Sequence, residues 1–298
     1  MFDETAICNG IGTTTGTEFV LADSLRVGGG SINETWRLRG QCGGEYFLKL
    51  NAPNQLDMFI AEAEGLLELA AAEAIRIPQP VCYGGENGRN SYLVLEFITF
   101  SQGSGAAERL LGEQLAQLHR KSSAGQGYGW HRDNTIGLTH QPNSWQADWV
   151  SFLREQRIGF QTQLAARNGA SKQLLRKCRQ VLDGLDYYFE QYKPEPSLLH
   201  GDLWSGNYGF DEADQPVIFD PAVHFGDRES DIAMTELFGG FSRSFYDAYE
   251  HAWPLDPGYT RRRELYKLYH ILNHFNMFGG SYAAQAENIA DRIRNCLP

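Results

Sequence analysis

Three polar residues in the last third of the chain, Asp202, Asn207 and Asp220, could carry phosphoryl-transfer chemistry. Asp202 and Asn207 have the spacing Asp-x-x-x-x-Asn, and Asp220 directly follows the apolar run Val217-Ile218-Phe219. Phosphoryl transfer needs a carboxylate beside the attacking hydroxyl and oxygen ligands for the Mg²⁺ that neutralises phosphate charge. The pattern therefore predicts that Asp202 orients or accepts the hydroxyl proton and that Asn207 and Asp220 bind Mg²⁺. The alternative is a turn and a strand-end carboxylate with structural roles only.

The text around these residues resembles the fructosamine (ketosamine) kinase family. The similar segments are His200-Gly201-Asp202-Leu203-Trp204-Ser205-Gly206-Asn207, Asp220-Pro221-Ala222, Gly226 to Met234, Phe47-Leu48-Lys49, Met58 to Leu66, Asn143 to Trp149, Phe238 to Phe241 and Leu272 to Gly279. Aminoglycoside and choline kinases share the two aspartates, Asp202 and Asp220, but usually not the sequence around them. The resemblance implies ATP-dependent phosphorylation of the 3-hydroxyl of ketosamines, the sugar adducts that glycation leaves on amines, which leads to deglycation.

Local patterns predict a small sheet with one helix, followed by mostly helical chain. The expected strands are 19–26, 33–39, 45–50, 91–98, 207–210 and 216–219, and the expected helices are 56–74, 106–121, 144–168, 171–192, 229–237, 243–251, 258–278 and 281–296. Together with the resemblance, this order predicts an α+β, two-lobed, protein-kinase-like fold. We expect an N-lobe with an antiparallel sheet at 1–98 and a mostly helical C-lobe at 99–298.

A glycine-rich turn between the first two expected strands is a candidate phosphate-binding loop. It comprises Gly28, Gly29, Gly30 and Ser31, and glycines there would let backbone N–H groups approach ATP phosphates closely. It is not the protein-kinase G-x-G-x-x-G, because Asn33 stands where the last glycine would be. It is not a Walker A motif either, because no Gly-Lys-Ser/Thr follows. A flexible hairpin turn is the alternative interpretation.

Lys49 is the candidate lysine for the α- and β-phosphates of ATP. It alternates with Leu48 and Leu50 on a strand, and therefore points to the opposite face from them. Such a lysine is oriented by a helix glutamate. Glu62 and Glu64 lie about 200° apart around a helix, so only one of them can serve. The resemblance selects Glu62.

The segment that joins the expected lobes implies an adenine site. In the fold that the resemblance implies, the backbone of this segment holds the adenine edge, and its residues here are Glu96, Phe97, Ile98 and Thr99. A core strand without ligand contact would show the same sequence.

Aromatic residues and a histidine are candidates for the sugar pocket, because rings cover the apolar face of a sugar and Trp or His can hydrogen-bond its hydroxyls. We select Trp204, His274 and Trp149, with Trp145 and Phe275 as further candidates. Core packing is the alternative for each ring. The resemblance also implies that Asp231 braces the catalytic loop, and we expect a structural role for His200.

The net charge and the cysteine pattern indicate which partners the protein binds and in which compartment it lies. The net charge of −11 argues against a nucleic-acid binder, because that affinity rests on Lys and Arg neutralising phosphates. Five scattered cysteines without a Cys-x-x-Cys pair predict neither a zinc site nor a disulfide framework. Without an expected signal peptide or membrane span, we predict a cytoplasmic protein that binds small or protein-borne ketosamines.

Three other functions are alternatives to a ketosamine kinase. Aminoglycoside, choline or homoserine kinases are related alternatives. A metallophosphoesterase would need further His ligands, and no Asp-x-His occurs in the chain. A catalytically inactive nucleotide-binding scaffold is the third alternative, although every expected catalytic group is present.

Overall fold

The computed structural model describes residues 2–28, 32–85 and 90–298. The strands are β1 (Leu21–Val27), β2 (Glu34–Gly40), β3 (Glu45–Asn51), β4 (Pro80–Gly84), β5 (Ser91–Glu96), β6 (Phe100–Ser101), β7 (Asn134–Ile136), β8 (Thr139–Gln141), β9 (Ser197–Leu199), β10 (Tyr208–Asp211), β11 (Pro216–Ile218) and β12 (His224–Gly226). The helices are α1 (Glu4–Thr15), α2 (Leu56–Ala70), α3 (Gly105–His119), α4 (Trp149–Phe152), α5 (Gly159–Arg167), α6 (Lys172–Asp183), α7 (Glu229–Leu237), α8 (Arg243–Ala252), α9 (Tyr259–Phe278) and α10 (Tyr282–Arg294).

The chain divides into two compact units. Unit 1 comprises Met1–Ala107 and Gly206–Pro221, and unit 2 comprises Glu108–Ser205 and Ala222–Pro298. Each unit is made of two separate stretches of the chain, because residues 206–221, which contain the hairpin of β10 and β11, belong to unit 1. The predicted functional lobes, 1–98 and 99–298, stay a prediction.

The main sheet of unit 1 is antiparallel throughout, with the strand order β1-β2-β3-β5-β4. Leu48 and Leu50 of β3 are buried in a core with Ile7 and Ile11 of α1. Lys49 pairs across the sheet with Leu93 and lies on the other face, as the alternation of a strand requires. The face that carries Lys49 therefore differs from the face that α1 covers.

The chain around α2 differs from the prediction in two ways. The helix ends at Ala70 instead of Ala74, because residues 71–73 form a turn in which Glu73 takes a positive φ of 51°. The strand β4 was not predicted, since it begins at Pro80 and proline is depleted in strands. It lies at the edge of the sheet, where a proline is tolerated.

A second sheet in unit 1 consists of β11, β10 and β6 in that order. β10 and β11 form the predicted hairpin, whose turn holds Asp214 with a positive φ of 60°. β6 lies in the segment predicted to be a plain connection between lobes, and it pairs with β10. Asn207 directly precedes β10 and Asp220 lies two residues after β11, so the hairpin places both residues at its open end.

Unit 2 contains the remaining helices and two short strand pairs, β7–β8 and β9–β12. The helix predicted at 144–168 begins at Trp149, because the side chain of Asp148 caps it by accepting from the Ser151 N–H at 2.7 Å. Its middle, Leu153–Ile158, is π-helical. Among the described residues, no helix is long and apolar enough to cross a membrane.

Candidate functional site

Lys49 lies at the centre of a charged cluster inside unit 1. Its ammonium contacts Glu62 Oε1 and Asp220 Oδ1, and the residue is only 3% exposed. Burial alone would lower the pKa of Lys49, but the negative charges of Asp220 and Glu62 outweigh it and hold the pKa above its ordinary value. The lysine is therefore a fixed cation at neutral pH.

Asp220 reaches Lys49 through an unusual backbone conformation. It follows Phe219 after β11 and takes a φ of +57°, the left-handed region that residues other than glycine rarely adopt. Such a residue costs on the order of 1 kcal/mol or more and persists only where its surroundings enforce it. The side chain of Asp220 stays partly exposed while its Oδ1 pairs with Lys49. Its other carboxylate oxygen can therefore bind a ligand.

Asn207 is tied to the same strand end. Its carbonyl accepts from the Phe219 N–H at 3.0 Å, and its amide Nδ2 donates to the Asp220 carbonyl at 3.4 Å. Both contacts lie inside unit 1, and Asn207 is buried. The two residues predicted to bind Mg²⁺ are thus brought together, because the side chain of Asn207 donates a hydrogen bond to the backbone of Asp220.

This group of residues fits a nucleotide with its divalent cation. Two carboxylates surround one ammonium, which leaves an excess negative charge where a cation would bind. The part of the chain that the structure describes holds no cluster of three or more His, Cys, Asp or Glu that could bind a metal alone. Two protein oxygens suit Mg²⁺, which is usually held by one or two protein ligands together with substrate phosphates and water.

The glycine turn is only partly covered by the structure. Gly28 is exposed, and a Cβ at this position would meet no atom of the described residues within 4 Å. Gly29, Gly30 and Ser31 lie outside the described residues. Their phosphate-binding role stays a prediction.

The segment predicted to hold adenine runs from the end of β5 towards β6. The backbone N–H of Glu96 donates to the Gln79 carbonyl at 2.9 Å, and its carboxylate accepts from Arg76 at 2.6 Å. Glu96 could therefore serve adenine only through its carbonyl. Phe97 lies beneath the Arg37 guanidinium, whereas Ile98 is half-buried and Thr99 is exposed.

The loop of unit 2 that contains His200, Gly201 and Asp202 is held by Asp231. Its Oδ2 accepts from the His200 N–H at 2.8 Å, and its Oδ1 accepts from the Gly201 N–H at 2.9 Å. The Nδ1 of His200 in turn accepts from the Asp202 N–H at 3.2 Å. Gly201 takes a φ of +83°, and a Cβ there would collide with the Ala222 carbonyl. The loop that presents Asp202 therefore depends on Gly201 and Asp231.

A buried histidine behind this loop was missed by the sequence analysis. His119, at the end of α3, donates from Nε2 to Asp231 at 3.2 Å and accepts at Nδ1 from the Tyr249 hydroxyl at 2.8 Å. Arg228 also donates to the Tyr249 oxygen, at 3.0 Å. Burial lowers the pKa of His119 despite the charge of Asp231, so the neutral ring is favoured. No spacing in the sequence connects these residues, and only the fold reveals them.

The three selected pocket residues divide into two groups. Trp204 is 38% exposed, two positions after Asp202, and it is linked to His274 through Phe238, with ring centroids 6.3 and 4.9 Å apart. Trp149 is buried and stacks on Phe152 at 5.6 Å. Its burial favours core packing over contact with a sugar.

Comparison with known proteins gives a consistent family. A sequence model of the fructosamine kinase family matches residues 4–296. A protein of Synechocystis sp. named "Probable ketoamine kinase" is 44% identical over 98% of this chain and 96% of the relative. The chloroplastic protein-ribulosamine 3-kinase of Arabidopsis thaliana is 40% identical over 89% of this chain and 80% of the relative.

Solved structures agree with this result. A crystal structure provisionally named fructosamine-3-kinase, from Haemophilus somnus, has a TM-score of 0.88 and 30% identity, covering 96% of both chains. An aminoglycoside phosphotransferase, APH(4)-Ia, has a TM-score of 0.64 at 18% identity, covering 97% of this chain and 98% of that one, and thus shares the fold. These neighbours confirm the predicted α+β, protein-kinase-like fold class.

Proposed function

We propose that this chain phosphorylates the 3-hydroxyl of the sugar chain of ketosamines. The chain belongs to the fructosamine kinase family and is an ATP-dependent phosphotransferase that acts on ketosamines. The observation that carries the proposal is the cluster of Lys49, Glu62 and Asp220 in unit 1, to which Asn207 is tied. A triphosphate with its Mg²⁺ requires a cation for the phosphates, here Lys49, and oxygen ligands for the metal, here from Asp220 and Asn207.

In this proposal, Lys49 binds the α- and β-phosphates and Glu62 fixes the direction of its ammonium. Asp220 and the amide oxygen of Asn207 hold Mg²⁺. When bound, ATP supplies the phosphoryl group and Mg²⁺ neutralises charge on its oxygens. Gly28 to Ser31 and the backbone of Glu96 to Thr99 are proposed to contact the phosphates and adenine.

Asp202 is proposed to accept a hydrogen bond from the 3-hydroxyl and to orient its oxygen for attack. When ATP is bound, this oxygen would bond to the γ-phosphorus while the bond from that phosphorus to the bridging oxygen breaks and ADP leaves. The carboxylate of Asp202 would take the hydroxyl proton. The brace from Asp231 through His200 and Gly201 keeps the backbone of this loop fixed, so little reorganisation is needed during the reaction.

Trp204 and His274 are proposed to contact the sugar. The Nδ1 of His274 lies 2.8 Å from the His270 carbonyl and donates to it, and burial lowers the pKa of His274. The neutral ring then has Nε2 as a hydrogen-bond acceptor, which suits a sugar hydroxyl. The five cysteines are all unpaired, which supports the cytoplasm as the proposed location.

The proposal is tested by ADP release from purified protein with Mg·ATP and a panel of acceptors. The panel contains the ribulosamine, fructosamine and erythrulosamine of lysine, together with choline, homoserine and kanamycin. We expect release with at least one ketosamine, and a loss of about 100-fold or more in Asp202→Asn with ATP binding retained. Turnover of choline, homoserine or kanamycin without any ketosamine turnover would move the chain to a related activity.

A further inference from the structure

Unit 2 carries an aromatic surface that extends beyond the residues needed to hold a sugar. It consists of Trp204, Phe238, His274, Phe278 and Tyr282, which we call the aromatic surface. The ring of His274 lies 5.9 Å from that of Phe278 and 5.1 Å from that of Tyr282, beyond its contact with Phe238. Trp204, Phe238 and Phe278 are 38%, 40% and 55% exposed. Such clustered exposure of large rings marks a binding surface.

Phe238 and Phe278 each lie at the C-terminal end of a helix and are each followed by two glycines. Phe238 directly follows α7 and precedes Gly239 and Gly240, while Phe278 is the last residue of α9 and precedes Gly279 and Gly280. All four glycines take positive φ angles, which end the helices without burying the rings. A Cβ on Gly240 would collide with Ser205, the neighbour of Trp204. The surface is thus continuous with the loop that carries Asp202.

The electrostatics of this surface favour a cation. The C-terminal end of a helix carries a partial negative charge, and neither α7 nor α9 has a basic residue in its last turn to compensate it. The N-terminus of α10, which begins at Tyr282, opposes these two C-termini with one partial positive charge. Trp and Phe rings attract ammonium groups to their faces. The chain as a whole is acidic, with a net charge of −11.

We infer that the aromatic surface binds the protonated amine and alkyl arm of a lysine-borne ketosamine, and that Phe278 determines specificity for acceptors with such an arm. This inference rests on the proposed function, since the sugar must occupy the region of Trp204 and Asp202. The secondary amine of a ketosamine is a cation at neutral pH, and the four methylene groups of lysine supply apolar area that the rings can cover.

The test compares two ribulosamines that share the sugar, one formed on the side chain of lysine within a short peptide and one formed on methylamine. In Phe278→Ala we expect kcat/KM for the peptide adduct to fall about threefold to tenfold through KM. The kcat and the KM for ATP should stay near wild type. The methylamine adduct keeps the amine but lacks the arm, so its kcat/KM should fall less than that of the peptide adduct. Leu138→Ala is the matched control, because Leu138 is also 55% exposed in unit 2 and lies outside the aromatic surface.

Two further variants separate the contribution of the ring face from that of apolar area. Phe278→Trp should keep the preference for the peptide adduct, whereas Phe278→Leu should lose part of it. Equal losses for both adducts in Phe278→Ala, or no loss for either, would overturn the inference while leaving the proposed function intact. Absence of wild-type turnover with both adducts would refute the proposed function and this inference with it.

Discussion

Lys49 and Asp220 form an ion pair although 171 positions separate them in the chain. The pair joins the central strand β3 to the end of the β10–β11 hairpin, and Glu62 of α2 completes it. The lysine that we propose for the phosphates and the carboxylate that we propose for the metal are thereby held together inside one compact unit. In the proposed function, the phosphates of ATP would replace Asp220 as partners of Lys49 and would leave its carboxylate to hold Mg²⁺.

Removing the charge of Glu62 should impair nucleotide positioning. In Glu62→Gln the ammonium of Lys49 keeps only Asp220 as its anionic partner, so it is no longer held from two sides. We expect kcat/KM for ATP to fall about tenfold, a loss of about 1.4 kcal/mol in transition-state stabilisation. Glu64→Gln on the same helix is the control and should behave like wild type. Similar losses in both variants, measured by steady-state kinetics, would remove the specific role of Glu62.

The carboxylate of Asp220 should be needed for Mg²⁺-dependent nucleotide binding. Asn tolerates the left-handed backbone at this position, so Asp220→Asn changes the charge with little added strain. We expect the affinity for Mg·ATP, measured by calorimetry, to fall about tenfold or more, because one of two protein oxygen ligands is weakened. Asp214→Asn has the same backbone region, with a φ of 60°, and serves as the control. Unchanged affinity in Asp220→Asn would contradict the assignment.

Asp231 should support catalysis without touching the substrate. In Asp231→Asn the amide NH₂ replaces an oxygen that accepts a backbone N–H of His200 or Gly201. The unsatisfied buried donor should cost about 1–3 kcal/mol of unfolding free energy. Turnover should fall while the affinity for Mg·ATP stays unchanged, because Asp231 lies in unit 2 and the lysine cluster lies in unit 1. Wild-type turnover in a destabilised variant would show that the brace is structural only.

Buried histidines should make the fold sensitive to acid. Burial lowers the pKa of His270 to about 3, against an ordinary value of 6.5. Because the folded pKa is depressed, the stabilisation is present above pH 6.5 and is lost as the pH falls. Between pH 7 and pH 5 the unfolded histidine gains a proton that the folded one does not, which costs about 2 kcal/mol. Urea unfolding at both pH values measures the change.

Nuclear magnetic resonance of the imidazoles assigns this effect to the residue. The His270 signal should not titrate between pH 7 and pH 5. His140 is exposed and provides a comparison signal in the same spectrum. A His270 signal with a midpoint near 6.5 would contradict the depressed pKa.

Much of the fold could be predicted from the sequence because its local signals are strong. α7 was predicted with its observed bounds, Glu229–Leu237, and α9 was predicted to within one residue at its start. The hairpin of β10 and β11 was recognisable from the polar turn between two apolar runs. Two of the strands that were not predicted, β6 and β9, gain their hydrogen bonds from partners farther along the chain, β10 and β12.

The candidate site shows the same division. Spacing and resemblance were enough to select Lys49, Glu62 and Asp220, and the structure brings these three into contact. Nothing local could indicate that Asp220 takes a left-handed backbone, or that His119 binds Asp231 at 112 positions' separation. Trp149 could not be separated from the pocket candidates by sequence, because an aromatic residue near a helix start is compatible with either environment.

The position of the transferred phosphate tests the central claim most directly. The protein is incubated with Mg·ATP and the ribulosamine adduct of lysine, and the product is examined by phosphorus-coupled NMR. Our account predicts coupling of the new phosphorus to the hydrogen on carbon 3 of the sugar chain, and no product in Asp202→Asn over the same time. Phosphate on another oxygen, or no phosphorylated ketosamine alongside clear phosphorylation of kanamycin or choline, would contradict it.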